Sequence, residues 1–214
     1  MIDTHSDTLE LLCQPVCSLR DVTVQWELLH RFPPSQQSDG WVLGQAIDMI
    51  AASRRHGFRL DLEVPLSGPS LRDLRFAEAV ADRMRGSGID PSCLVLEVNE
   101  ADLGLDLDEI RYSATRLRAL GCRIALDLLR PRGDLSTYLR RFPADFVKVG
   151  GSFTHDLTAD VHAQLVVRTI VDLAHAMDRK VIAAQVADEA TLGLLQSLGA
   201  DFVQGPHIGL PTAC

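Results

Sequence analysis

The chain has 214 residues, of which 46% are hydrophobic and 23% charged, and its formal net charge is −8. This length and apolar content are sufficient for a single domain with one core, and no low-complexity tract indicates disorder. The acidic balance argues against nonspecific binding to DNA or RNA, although local arginines could still bind a small anionic ligand.

The N-terminal sequence and the cysteines indicate the cellular compartment of the protein. The opening MIDTHSDTLELL lacks the basic segment and long apolar stretch of a signal peptide, and no run of about 18 apolar residues could span a bilayer. The five cysteines are not at metal-ligand spacings; they are Cys13, Cys17, Cys93, Cys122 and Cys214. We therefore expect reduced thiols in a cytoplasmic protein.

Eight β-rich segments follow one another along the chain. They cover residues 8–16, 22–29, 58–66, 93–99, 122–129, 145–150, 180–186 and 201–205. Helical periodicity is found at 41–55, 70–85, 107–120, 163–177 and 188–198, with a shorter helical turn around 134–141. Several of the β-rich segments are apolar on both alternating faces, which is typical of parallel strands covered by helices.

This alternation predicts an α/β fold, a (β/α)8 barrel formed by one domain over residues 1–214. The alternative is an open doubly wound sheet, but no GxGxxG or P-loop motif follows any strand. In a barrel, the functional residues lie at the C-terminal ends of the strands.

Polar residues recur near the ends of five predicted strands. They are Glu27, Glu97 with Glu100, Asp127, Lys148 and Gln204. Strand ends can simply meet solvent, but carboxylates and a lysine at one mouth would also suit a divalent metal and an oxyanion.

Seven motifs carry a resemblance to a known family. They are QPV (14–16), ELLHR (27–31), LEVNE (96–100), ALDLL (125–129), DFVKVG (145–150), VIAAQVADEATLGLL (181–195) and QGPHIGLP (204–211). Over about residues 8–211 the chain resembles the EAL domain, a family of cyclic di-GMP phosphodiesterases. The resemblance implies a TIM-like barrel whose first strand runs antiparallel, and hydrolysis of a phosphodiester with two metal ions held by carboxylates and an asparagine.

Part of the family's site is present at the matching positions. By this resemblance Glu27, Glu97 and Asp127 are remnant metal ligands, Lys148 stands at the catalytic lysine, and Gln204 stands at the glutamine that steadies the site.

Other matching positions have lost the side chains that the family uses. Pro65 stands for the metal-binding asparagine, Leu128 for the second aspartate of an Asp-Asp pair, Ala184 and Ala187 for two glutamates, and Gly150 for an aspartate. Two divalent ions close together repel each other and need several anionic ligands. We therefore expect a degenerate site with no catalytic residues, no bound metal, and Lys148 paired with Asp127 or Glu97.

Six residues are candidates for nucleotide binding by the same resemblance: Leu29, Arg31, Arg130, Arg132, Gln204 and Gly205. Arg130 and Arg132 could clasp a phosphate bidentately, or they could be a solvated pair beside Asp134. After Arg31, the segment FPPSQQSDG leads straight to Trp41, so the helix and loop that form one wall of the family's cleft are expected to be shortened.

The sequence leaves three functions open. The first is an inactive EAL-like module in cyclic di-GMP-related signalling that binds a protein partner or the intact nucleotide and needs no cofactor. The second is a residual phosphodiesterase that depends on Mg or Mn and recruits substitute ligands such as Glu100 or Asp102. The third is a structural remnant inside a larger regulatory protein. A homodimer is also left open.

Overall fold

The structure, a computed structural model, describes residues 11–30, 35–128 and 135–214. Within this part of the chain, nine strands form one sheet. They are β1 (Leu11–Ser18), β2 (Val24–His30), β3 (Leu62–Leu66), β4 (Leu94–Asn99), β5 (Arg123–Leu128), β6 (Phe146–Val149), β7 (Lys180–Ala183), β8 (Phe202–Gln204) and β9 (Thr212–Ala213).

The first eight strands close into a barrel. Each strand from β2 to β8 runs parallel to the next. β1 completes the ring by pairing antiparallel with both β2 and β8. The predicted barrel and its antiparallel first strand are therefore confirmed.

Seven helices lie among the described residues. They are α1 (Gln36–Arg55), α2 (Gly68–Arg72), α3 (Leu74–Ser87), α4 (Glu100–Ala119), α5 (Leu135–Arg141), α6 (Val161–His175) and α7 (Glu189–Leu198). None of the helices in this part of the chain is long and apolar enough to cross a membrane.

Three helix boundaries differ from the sequence prediction because polar side chains cap the helices. α1 begins before Trp41, where Ser35 and Ser38 form a reciprocal capping box. The predicted helix 70–85 is divided at Asp73, whose extended backbone ends α2 and whose side chain caps α3. α4 begins directly after β4, because Asn99 accepts a hydrogen bond from the N–H of Ala101.

Two apolar cores hold the fold together. The larger core lies between the barrel and its helices. The smaller one consists of Val16, Val95, Ala125, Phe146 and Ile182, with Phe202 packed against it. Since side chains alternate along a strand, the residues two positions further on continue the same inward face. For β4, β5 and β6 those residues are Glu97, Asp127 and Lys148, so the apolar plug supports a polar layer at the C-terminal mouth.

The C-terminus corrects the expectation that all the cysteines are reduced. β9 pairs with β1, and Thr212 is the register partner of Cys13. Cys13 and Cys214 are joined by a disulfide, with their Cα atoms 5.3 Å apart. The short strand β9 brings together two cysteines that are 201 residues apart in sequence. Their spacing along the chain could not reveal that pairing.

Candidate functional site

An acidic triad lies in the mouth of the barrel. Glu27, Glu63 and Glu97 come from the neighbouring strands β2, β3 and β4, and each contributes one carboxylate oxygen within 4.8 Å of the other two. Glu63 is fully buried, and Glu97 is 7% exposed. Three such oxygens, away from water, form a strongly negative site that requires a cation or bound protons.

The Lys148 ammonium supplies that positive charge. Its Nζ lies 2.9 Å from Glu27 Oε2, 3.0 Å from Glu97 Oε2 and 3.6 Å from Glu63 Oε2. Lys148 itself is only 4% exposed. The predicted pairing of Lys148 with Glu97 is confirmed, and Glu27 is a second close partner.

Gln204 orients Glu27 from the opposite side. The Gln204 amide donates a hydrogen bond to Glu27 Oε2 and lies 3.2 Å from the side-chain oxygen of Gln14. Gln14 in turn donates to the carbonyl of Gly209 at 3.0 Å. This chain of amides ties β8 and β1 to the acidic triad.

Asp127 lies at the edge of the same cluster. It is the register partner of both Lys148 on β6 and Asn99 on β4, and it is 9% exposed. Its carboxyl interacts electrostatically with Lys148 and Glu27. The five residues predicted from the strand ends therefore converge on one mouth: Glu27, Glu97, Asp127, Lys148 and Gln204.

Burial and crowding shift the proton affinities of these acids. Burial raises the pKa of Glu63 to about 7 and that of Asp127 to about 6, although Lys148 lowers both. The pKa of Glu97 is raised well above its ordinary value, first by burial and then by neighbouring carboxylates. Burial also raises the pKa of Glu27, but Lys148 and Gln204 lower it by more, so the net shift is downward.

The same carboxylates hold the pKa of Lys148 well above its ordinary value despite the burial of its ammonium group. These pKa shifts favour the charged form of Lys148 and the protonated forms of Glu63, Glu97 and Asp127.

Two of the positions that lost acidic side chains are adjacent in space. A Cβ on Gly150 would lie 3.1 Å from the Cβ of Ala184. Leu128 is fully buried in the core between barrel and helices, whereas Ala187 is exposed. Pro65 is the register partner of Glu97 and offers no side-chain oxygen at the mouth.

A cavity of ≈ 580 Å³ opens beside Glu97 and Pro65. Asp39 forms part of its wall and is 2% exposed. Asp39 Oδ2 accepts hydrogen bonds from the backbone N–H of Ser67 at 2.8 Å and from the hydroxyls of Ser67 and Ser70, both at 2.6 Å. These bonds fasten α1 to Ser67, which follows β3, and to α2, and they fix one side of the cavity.

The structure describes three of the six nucleotide-binding candidates. Leu29 lies two residues beyond Glu27 on the same face of β2. Gln204 contacts Glu27, and Gly205 has a φ of +150°, where an added Cβ would lie 2.2 Å from the backbone nitrogen of Val186. Arg31, Arg130 and Arg132 lie outside the described residues.

The proposed substitute ligands have different environments. Glu100 is 6% exposed at the start of α4, and Asp102 lines the cavity beside Glu97. Neither residue belongs to the acidic triad, whose third member is Glu63.

Two site residues, Glu63 and Asp39, were not predicted from the sequence. Strand alternation could have identified Glu63, because it lies two residues before Pro65 and therefore on the same face of β3. Asp39 gave no comparable signal, since its role depends on the packing of α1 against the turn after β3.

The side chains at the barrel mouth meet only some of the requirements of a metal centre. The acidic triad has the oxygen donors that a divalent cation prefers. The Lys148 ammonium lies within 3.6 Å of all three carboxylates and balances part of their negative charge. Pro65 and Leu128 offer no side-chain oxygen, so the described residues do not supply the ligand set that a pair of divalent ions needs.

The chain is similar in sequence to a known protein family. The family model of the EAL domain matches residues 3–211. The cyclic di-GMP phosphodiesterase PA2567 of Pseudomonas aeruginosa is 32% identical over 171 residues, which cover 80% of this chain and 29% of that protein. The chain spans less than a third of the length of the first curated relatives that it matches.

Solved structures agree with this match. A crystal structure of the FimX EAL domain is similar with a TM-score of 0.90 and 26% identity, covering 97% of this chain and 92% of that one. The FimX EAL domain from Pseudomonas aeruginosa bound to c-di-GMP gives a TM-score of 0.87 at 25% identity, with 95% and 90% covered.

Proposed function

Because the chain belongs to the EAL domain family and is related to cyclic di-GMP phosphodiesterases, we propose that it is a degenerate, non-catalytic member. It acts in cyclic di-GMP-related signalling by binding a protein partner or the intact nucleotide. It needs no metal cofactor for this role.

The observation that carries this proposal is the lack of side-chain oxygens at Pro65, Leu128 and Ala184, where the family resemblance places metal-site residues. The Lys148 ammonium also contacts Glu27 and Glu97, two of the remnant ligands, at 2.9 and 3.0 Å. A divalent cation would have to displace the ammonium from a desolvated site, against strong like-charge repulsion. Pro65 and Leu128, at the positions where the family resemblance places further metal ligands, have no side-chain oxygen, which supports the loss of two-metal hydrolysis.

A protein partner is favoured over the nucleotide as the ligand. The shortened segment after Arg31 and the absence of an acidic side chain at Gly150 and Ala184 remove groups that the family resemblance assigns to the cleft. Nucleotide binding keeps some support from Gln204 and from the cavity beside Glu97. The proposal includes a cytoplasmic location, which follows from the related signalling family and no longer from reduced thiols, since Cys13 and Cys214 form a disulfide. Homodimer formation is left to experiment.

A second candidate function is a residual phosphodiesterase. It is favoured by the acidic triad, because Glu63 adds a carboxylate that was not among the expected substitute ligands. Loss of the ammonium proton would free these oxygens for one Mg²⁺ or Mn²⁺. However, the carboxylates raise the pKa of Lys148, which opposes that loss.

Two measurements test the proposal. Incubation with cyclic di-GMP and Mn²⁺, followed by chromatography, should yield no linear pGpG above the background set by a metal-free control. An active EAL phosphodiesterase in the same buffer serves as the positive control. Sustained turnover that a chelator abolishes would refute the non-catalytic function and favour the second candidate.

Calorimetry with cyclic di-GMP separates the two binding functions. Binding that is independent of Mg²⁺ and is weakened about tenfold or more by Arg31→Ala would identify the nucleotide as the ligand. Arg168→Ala is a matched control, because Arg168 lies on α6 and pairs with Asp172 on the surface. Absence of nucleotide binding, together with absence of hydrolysis, is the result expected for a module that binds a protein partner.

A further inference from the structure

A groove of ≈ 500 Å³ lies on the outer side of the barrel, between α4 and α5. Its other wall is formed by Phe142 and Pro143, which lead into β6, and by Arg179, which precedes β7. Since the strands are parallel, the groove is at the N-terminal end of the barrel, opposite to the mouth that holds the acidic triad. Its volume is in the range of small-ligand sites.

Four arginines line this groove: Arg111 on α4, Arg140 and Arg141 on α5, and Arg179 before β7. The lining contains one carboxylate, that of Asp108, which lies 2.8 Å from Arg141 Nη2 and 3.5 Å from Arg111 Nη2. Such a concentration of positive charge is unexpected in a chain whose net charge is −8.

Ordinary structural roles explain only part of this cluster. Arg140 and Arg141 are in the last turn of α5, where a cation interacts favourably with the helix dipole. Arg111 is in the middle of α4, and Arg179 is not in a helix, so the dipole does not account for either.

Arg179 provides the most specific observation. Its Nη2 donates to the carbonyl of Phe142 at 2.8 Å, whereas its buried Nη1 has no hydrogen-bond partner among the described residues. Burial lowers the pKa of Arg179, and the nearby positive charge of Arg118 lowers it further. A buried guanidinium nitrogen without an acceptor is costly. Because Arg179 also lines the groove, its charge would attract an anion bound there.

We propose that this groove binds a phosphate-bearing anion, with a pyrophosphate group spanning the guanidinium groups of Arg111, Arg140 and Arg179. Guanidinium forks match phosphate oxygens and bind them bidentately. Tyr112 also lines the groove and is 53% exposed, so a nucleoside attached to the phosphates would have an aromatic neighbour. The shared chemistry is the pyrophosphate, and its source is either the free ion or a nucleoside diphosphate.

Calorimetry on the full chain with pyrophosphate, ADP and adenosine tests the site and identifies the source. Pyrophosphate and ADP should bind, with an affinity that falls as the salt concentration rises, and adenosine should not. A nucleotide site requires ADP to bind more tightly than pyrophosphate. The opposite order identifies a site for the free anion.

Variants locate the binding. The double variant Arg111→Gln/Arg140→Gln should weaken pyrophosphate binding at least about tenfold, while Arg168→Gln, a surface arginine on α6, should leave it unchanged. If the double variant does not fold, Asp108→Asn provides the opposite test. Removing the one carboxylate of the groove lining should strengthen binding. No binding of any phosphate at millimolar concentration, or binding that these variants do not change, overturns the proposal. Neither outcome depends on whether the barrel mouth hydrolyses cyclic di-GMP.

Discussion

Lys148→Met tests whether the ammonium now stabilises the fold in place of a metal. Methionine keeps much of the length and apolar character of the lysine side chain but removes its charge. In the variant, Glu27, Glu63 and Glu97 would face one another without the cation that lies 2.9 to 3.6 Å from them in the wild type.

The size of the effect follows from the geometry. A pair of unit charges 3 Å apart interacts by about 5–6 kcal/mol at an effective dielectric constant of about 20. The cost of burying the ammonium offsets much of the attraction of the two close pairs. Breaking a buried pair on one side typically costs about 3–5 kcal/mol. Because Lys148 is 4% exposed, we expect a loss in this range at neutral pH.

Chemical denaturation at several pH values is the appropriate assay. The acids can take up protons when the cation is absent, so the destabilisation of Lys148→Met should shrink as the pH falls from 8 to 5. Lys180→Met is the matched control, because the only other lysine of the chain has a 55% exposed side chain and lies 3.6 Å from Asp201. It should cost less than about 1 kcal/mol.

Magnesium provides the second readout. Mg²⁺ should partly restore the stability of Lys148→Met, since the freed carboxylates can bind the ion. It should have little effect on the wild type. If Lys148→Met melts like the wild type, and Mg²⁺ already stabilises the wild type strongly, the mouth is a metal site and the proposed replacement of metal by lysine is wrong.

Three further predictions concern other parts of the molecule. Asp201→Asn should cost about 2 kcal/mol at pH 7. Burial raises the pKa of Asp201, but hydrogen bonds from a backbone N–H and from His175 lower it by more, so urea titrations should show the difference disappearing as the pH falls below about 4. Asp39→Asn should lower the free energy of unfolding by about 2 kcal/mol, because the carboxylate accepts three hydrogen bonds; an unchanged melting temperature would contradict this. Cys214→Ser should cost about 2–5 kcal/mol relative to the oxidised wild type, by releasing the long loop closed at Cys13, and nothing relative to the reduced protein.

Much of the barrel could be predicted because its signals are local. Parallel strands covered on both sides are continuously apolar, and the helices between them show their own periodicity. Each of the eight predicted strand segments overlaps an observed strand. β9 was missed because it has only two residues and exists through its pairing with β1.

The helix starts were less predictable than the strands. Asn99 and Asp73 set the beginnings of α4 and α3 through single hydrogen bonds from side chain to backbone. Such bonds compete with the continuation of a strand or a helix, and the hydrophobic pattern contains no information about which conformation prevails.

Site residues at the ends of strands could be predicted from the sequence, whereas Glu63, which lies deeper in the barrel, was missed. Glu27, Glu97, Asp127, Lys148 and Gln204 were found because functional groups in a barrel lie at the C-terminal strand ends. Glu63 precedes its strand end by three residues, in a stretch that reads LDLEVPL. Strand alternation places it on the same face as Pro65, but its burial depends on the barrel interior being polar at that depth, which the hydrophobic pattern does not indicate.

Glu63 and Lys148 show how a barrel of this family can be stable without a metal ion. Carboxylates in a pocket shielded from water repel one another when no cation is present. A mutation that abolished metal binding and did nothing else would therefore destabilise the fold. Here the lysine already reaches Glu27 and Glu97, and Glu63 adds a third acid within 3.6 Å of the same ammonium. Both oxygens of Glu63 lack a hydrogen-bond donor among the described residues, and the pKa of its carboxyl is raised to about 7 by burial, so it accepts a proton more readily than an exposed glutamate. One ammonium and protons on the acids are sufficient to balance the charge of such a cluster. For this reason the retained glutamates are compatible with a non-catalytic role, and their presence in a sequence is insufficient grounds for assigning phosphodiesterase activity.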